Sequence, residues 1–88
     1  MNILKEQVDQ VINFGVFGYD SEKISSILGI DKKVVENEIK KKDSELNKLL
    51  RKGRDMADYV IDLKLFELAK AGDLKALDKL DLRKFNRE

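Results

Sequence analysis

The stretch Asp20-Ser21-Glu22-Lys23-Ile24-Ser25-Ser26-Ile27-Leu28-Gly29-Ile30-Asp31-Lys32-Lys33-Val34-Val35-Glu36-Asn37-Glu38-Ile39 reads as two short helices joined by a tight turn. Asp20 or Ser21 can cap the first, since a short side-chain oxygen accepts from the free N–H groups of the opening turn. Ile24, Ile27 and Leu28 follow at helical spacing and make one apolar stripe. Gly29 stands where a left-handed residue ends a helix at least cost. Ile30 then returns to the core and Asp31 caps the second helix, whose buried side is expected from Val34, Val35 and Ile39. Two short helices, a glycine turn and a shared core make a helix-turn-helix, whose second helix is held rigidly enough to enter a major groove.

The outer face of that second helix carries Lys32, Lys33, Glu36, Asn37, Lys40 and Lys41. Lysine suits phosphate or guanine, asparagine can bond adenine through two hydrogen bonds, and glutamate can accept from cytosine. Glu36 can equally pair with Lys32 or Lys40 one turn away. From Lys40 to Arg54 seven basic residues face two acids, Asp43 and Glu45. In this stretch Lys48, Arg51, Lys52 and Arg54 are further candidates for phosphate contact. A charged, solvated helix face is the plainer alternative for the whole set.

Upstream, Asn2 to Phe14 reads as a first helix with Leu4, Val8, Val11 and Ile12 inward, completing a three-helix head. Gly15 to Tyr19 reads as a link, with Phe14, Phe17 and Tyr19 as core aromatics. Downstream, Ser44 can cap a long helix from Glu45 to Ala71. Gly53 lies inside it, at a cost of about 1 kcal/mol relative to alanine, and allows either a bend or a close helix approach. Val60, Ile61, Leu63, Leu65, Phe66 and Leu68 point nearly all round that helix. A surface helix of a monomer shows one apolar stripe, so other copies of the chain are expected to cover part of it. Gly72 and Asp73 then turn the chain into a short helix bearing Leu74, Leu77 and Leu80 and reaching Asp81 or Lys84; Leu82 and Phe85 can extend its apolar side, and Arg83 to Glu88 reads as a polar, frayed end. The expected fold is all-α. A helix-turn-helix head over residues 1–43 precedes an oligomerisation hairpin of a long and a short helix over residues 44–88. Val60, Ile61, Leu63, Leu65, Phe66, Leu68, Leu74 and Leu77 are the expected subunit contacts.

With 88 residues, 40% of them charged and a net charge of only +1, the chain suits solvated helices and one small core rather than a general nucleic-acid condenser. Cysteine and histidine are absent, which removes disulfides, thiolate metal sites and the usual general base. No nucleophile–base pair or converging carboxylates stand out, so no catalytic residue, metal or cofactor is expected. No apolar run approaches a membrane span, and Met1 to Glu6 lacks a secretory layout, so no membrane partner is expected.

Taken in order, Tyr19 to Ile30, then Lys52-Gly53-Arg54-Asp55-Met56-Ala57-Asp58-Tyr59-Val60 and Leu65-Phe66-Glu67-Leu68-Ala69-Lys70-Ala71-Gly72-Asp73-Leu74-Lys75-Ala76-Leu77, resemble the small terminase subunits of tailed bacteriophages. The resemblance implies a non-catalytic protein that binds genome DNA through the helix-turn-helix. It implies a ring built by the hairpin, and delivery of DNA to a large terminase subunit whose ATPase and nuclease it regulates. It also implies the cytoplasm of a bacterial host, and leaves only the short tail from Asp81 to Glu88 for the large subunit. A dimeric helix-turn-helix transcriptional regulator is the alternative, and a protein-interaction module that never meets DNA is a third.

Overall fold

The computed structural model describes residues 1–87 and is all-helical, without a strand among those residues. A short 3-10 turn over Lys5–Gln7 leads into α1 (Val8–Phe17), α2 (Ser21–Leu28), α3 (Lys32–Lys40), the long α4 (Glu45–Lys70) and α5 (Leu74–Arg87). The chain forms two compact units, Met1–Met56 and Ala57–Glu88. The first unit therefore reaches beyond residue 43 and takes in the opening turns of α4. Glu88, which ends the expected tail, lies outside the described residues.

Local chemistry sets most helix ends. The Asp20 carboxylate accepts from the Lys23 N–H at 2.9 Å, and that of Asp31 from the Lys33 N–H at 2.8 Å. Each such cap stabilises its helix by about 1 kcal/mol. Between them Gly29 adopts φ +68°, the left-handed region that costs a side-chain-bearing residue most. The N–H groups of Gly29 and Ile30 both return to the Ser25 carbonyl. The Ser25 hydroxyl donates to the Ile30 carbonyl, closing the turn from its other side.

The core of the first unit joins Val11 and Phe14 of α1, Ile24 of α2, Val35 of α3, and Leu46 and Leu50 of α4. Burying each such side chain contributes about 1.5–3 kcal/mol. Helices of eight to ten residues are marginal alone, so α1, α2 and α3 depend on this packing. Two glycines let α1 and α4 meet backbone to backbone. A Cβ on Gly15 would collide with the Leu50 carbonyl, and one on Gly53 with the Ile12 carbonyl. Gly53 thus serves close approach; α4 runs through it unbroken.

This crossing corrects the reading of residues 15–17 as a link. They continue α1, which ends only at the left-handed Gly18. Leu4, ahead of the 3-10 turn, and Phe17, at the end of α1, are exposed rather than in the core, while Met1 and Ile3 pack against the core instead. Ile27 is also largely exposed, so the inner stripe of α2 rests on Ile24 and Leu28.

In the second unit the end of α4 is closed by Gly72 at φ +102°, where the Asp73 N–H reaches the Leu68 carbonyl at 3.0 Å. The Asp73 carboxylate then caps α5 through the Ala76 N–H. The tail expected to be polar and frayed is instead the last part of α5, helical to Arg87. Ala76 is the one fully buried side chain among the described residues of this unit.

Candidate functional site

In α3 the core takes Val35 and, partly, Ile39. With 3.6 residues per turn, the opposite side then presents Lys33, Asn37 and Lys40, all exposed. Both acids of the helix are engaged at its flanks. Glu36 pairs with Lys32 at 3.8 Å, and Glu38 with Lys41 at 3.6 Å. Among the described residues Lys33 and Lys40 have no acidic partner, and the Asn37 amide makes no side-chain hydrogen bond. The centre of the face is therefore basic despite the mixed sequence. Val34, expected on the buried side, is instead 40% exposed on the flank next to Asn37, because Val35 alone of the adjacent pair takes the core position.

The end of α3 is anchored by two residues that the motif reading missed. The Ser44 hydroxyl donates to the Glu38 carbonyl at 2.6 Å while accepting from the Asn47 N–H at 3.0 Å. The Asn47 amide donates to the Ile39 carbonyl at 2.6 Å. Both bonds fall on carbonyls of the last turn of α3, that of Glu38 also accepting the Lys41 N–H at 3.2 Å, and they tie the end of α3 to the start of α4. A serine and an asparagine three residues apart at a helix start were the only available signal.

The basic residues of α4 are less concentrated. Lys48, Arg51, Lys52 and Arg54 are all exposed, away from the buried Leu46, Leu50 and Gly53. Arg51 alone reaches back, its guanidinium donating to the Lys42 carbonyl at 3.2 Å. This links it to the basic segment after α3; no such bond ties Lys48, Lys52 or Arg54 to α3.

The second unit presents three stripes along α4. Asp58, Asp62, Leu65 and Ala69 form the inner one and are partly buried. Arg83 of α5 crosses to it, with Nε 2.6 Å from Asp62 and Nη2 3.1 Å from Asp58, and Arg87 reaches Asp62 at 2.7 Å. Leu65, among the expected subunit contacts, lies on this inner stripe and is partly buried in the single chain. On one flank of that stripe stand Tyr59, Leu63 and Phe66, and on the other Ile61 and Leu68, all exposed. Val60 lies at the back, also exposed. On α5, Leu74 and Phe85 are 73% and 74% exposed, with Leu77 and Leu82 beside them. Tyr59, Leu82 and Phe85 enlarge the apolar surface beyond the expected set. Leu82 and Phe85 follow from the sequence as an extension of the apolar side of α5; Tyr59 does not.

The hydrogen bond from Arg83 holds the Asp62 carboxyl below its usual range; partial desolvation opposes this and Arg87 reinforces it. A depressed carboxylate pKa adds stability above the unfolded value, near 3.9, that is lost as pH falls through the lower folded value. Arg83→Ala is therefore expected to weaken the α4–α5 pair at neutral pH. The difference from the native chain should shrink under acid, as urea unfolding followed by circular dichroism would show. A difference that stays constant down to strong acid would rule out this role for the ion pair.

Among the described residues no group of three or more acidic side chains converges as a metal site would require. No described helix is long and apolar enough to cross a membrane. Comparison with models of protein families, with curated proteins and with solved structures finds no match to this chain.

Proposed function

We propose that the chain is a non-catalytic DNA-packaging subunit of the small-terminase kind. In this proposal α2, the Gly29 turn and α3 form a helix-turn-helix that reads duplex DNA. The α4–α5 hairpin assembles copies into a ring, and the ring delivers DNA to a large ATPase and nuclease subunit in the bacterial cytoplasm. The observation that carries the reading is the pairing of two features in one chain. One is a rigidly anchored helix with an unpaired basic centre. The other is a helical pair with a single fully buried side chain and exposed apolar residues on both flanks. A unit of this size cannot bury enough surface alone. Two different apolar flanks suit a head-to-tail contact repeated around a ring. A dimeric regulator needs only one self-complementary patch, so the two flanks favour the ring.

Lysine and asparagine on α3 then act at DNA, while several heads on one assembly compensate for weak binding by each. The double substitution Lys33→Ala with Asn37→Ala is expected to lower affinity for duplex DNA by about tenfold to a hundredfold and to flatten its salt dependence. The oligomeric mass should be unchanged. A low-salt anisotropy titration with unaltered affinity would remove α3 from the DNA surface. Absence of salt-dependent binding by the native chain would remove DNA from the function.

A further inference from the structure

Val34 is an aliphatic side chain of α3 that the core does not take. Its neighbour Val35 is fully buried, yet Val34 is 40% exposed on a flank of α3. It lies beside the unpaired Asn37, three positions on, with Lys33 on the other side of Asn37. Side chains three apart on a helix have Cβ atoms about 5–6 Å from each other, a span of one to two base steps. In the major groove adenine presents an acceptor at N7 and a donor at N6, which an asparagine amide matches with two hydrogen bonds. Thymine alone presents an apolar feature there, its 5-methyl group. A face with one free amide, one exposed branched aliphatic group and flanking lysines combines both chemistries with backbone attraction.

We propose that Asn37 and Val34 together select an A·T step. Asn37 bonds adenine N6 and N7, and Val34 covers the 5-methyl of a thymine within one or two steps of it. Lys33 and Lys40 contact phosphates, which position the helix without reading sequence. This assignment rests on the DNA reading above and adds the bases that are read and the residue that reads the methyl.

The test uses the full chain and a duplex library with a randomised centre, bound at low salt and sequenced. The preferred duplex is then remade with each thymine replaced in turn by uracil, which lacks the methyl. One position is expected to lose about fourfold in affinity, the effect of burying one methyl group. Val34→Ser, at an exposed site and with its fold checked by circular dichroism, should bind the thymine and uracil duplexes alike. Asn37→Ala should still bind DNA but lose about tenfold in preference for adenine at one neighbouring position. Three results would overturn the assignment while leaving DNA binding in place. They are equal affinity for thymine and uracil at every position, a thymine preference that survives Val34→Ser, and salt-dependent binding with no preferred sequence. Absence of binding to any duplex would overturn both.

Discussion

Gly53→Ala is expected to destabilise the first unit by about 3 kcal/mol, at the upper end of what overpacking usually costs. Helix propensity alone predicts the opposite sign, since alanine in a helix interior is favoured over glycine by about 1 kcal/mol. Geometry decides between them. The added methyl would overlap the Ile12 carbonyl and press on the Val16 amide at 2.8 Å, and both are backbone atoms that cannot swing aside. Relief requires α1 and α4 to separate, which unpacks Val11, Phe14, Leu46 and Leu50 together. Because a small domain has only about 5–15 kcal/mol of stability in all, the loss would be plain in a urea titration followed by circular dichroism. Ser26→Ala, at an exposed site on α2, serves as a control with little expected change. A stabilised Gly53→Ala variant would show that the two helices do not cross at these glycines.

Phe66→Glu is expected to abolish assembly. Phe66 is 49% exposed in the single chain, on the flank shared with Tyr59 and Leu63. Aromatic anchors of this kind typically contribute about 2–4 kcal/mol to an interface. Replacing one with a carboxylate removes that contribution and adds the cost of desolvating an unpaired charge. The helix itself is not put at risk. Lys70 lies one turn on, its ammonium 4.8 Å from the Phe66 ring centre, and a new carboxylate would gain a favourable neighbour there. Sedimentation velocity should therefore show a lower mass without a chemical reason for α4 to unwind. A variant that keeps the native mass would place Phe66 outside every subunit contact.

Caps and turns were legible in the sequence because their chemistry is local. Asp20, Asp31, Ser44 and Asp73 each need only their own N–H neighbours, and Gly29 and Gly72 need only a positive φ. What was misread depends on partners far along the chain. Gly15 looked like the start of a link, and only the Leu50 carbonyl, with which a Cβ would collide, shows why a glycine stands inside the helix. Val34 and Val35 are adjacent and chemically identical, so nothing local says which one turns inward. The tail looked polar and free, yet Arg83 finds Asp58 and Asp62 more than twenty residues earlier. Of the candidate site, the lysines and Asn37 of α3 were visible from helical spacing. The neutralisation of Glu36 and Glu38 at its flanks depends on rotamers and was not.

Under the proposed function, further copies of the chain complete the second unit and gather several DNA-reading heads into one particle. Native mass spectrometry of the full chain at low micromolar concentration tests this most directly. A closed assembly of many copies of the 10.2 kDa chain is expected. A monomer would contradict the claim outright. A clean dimer would contradict the ring and move the function to a two-fold regulator.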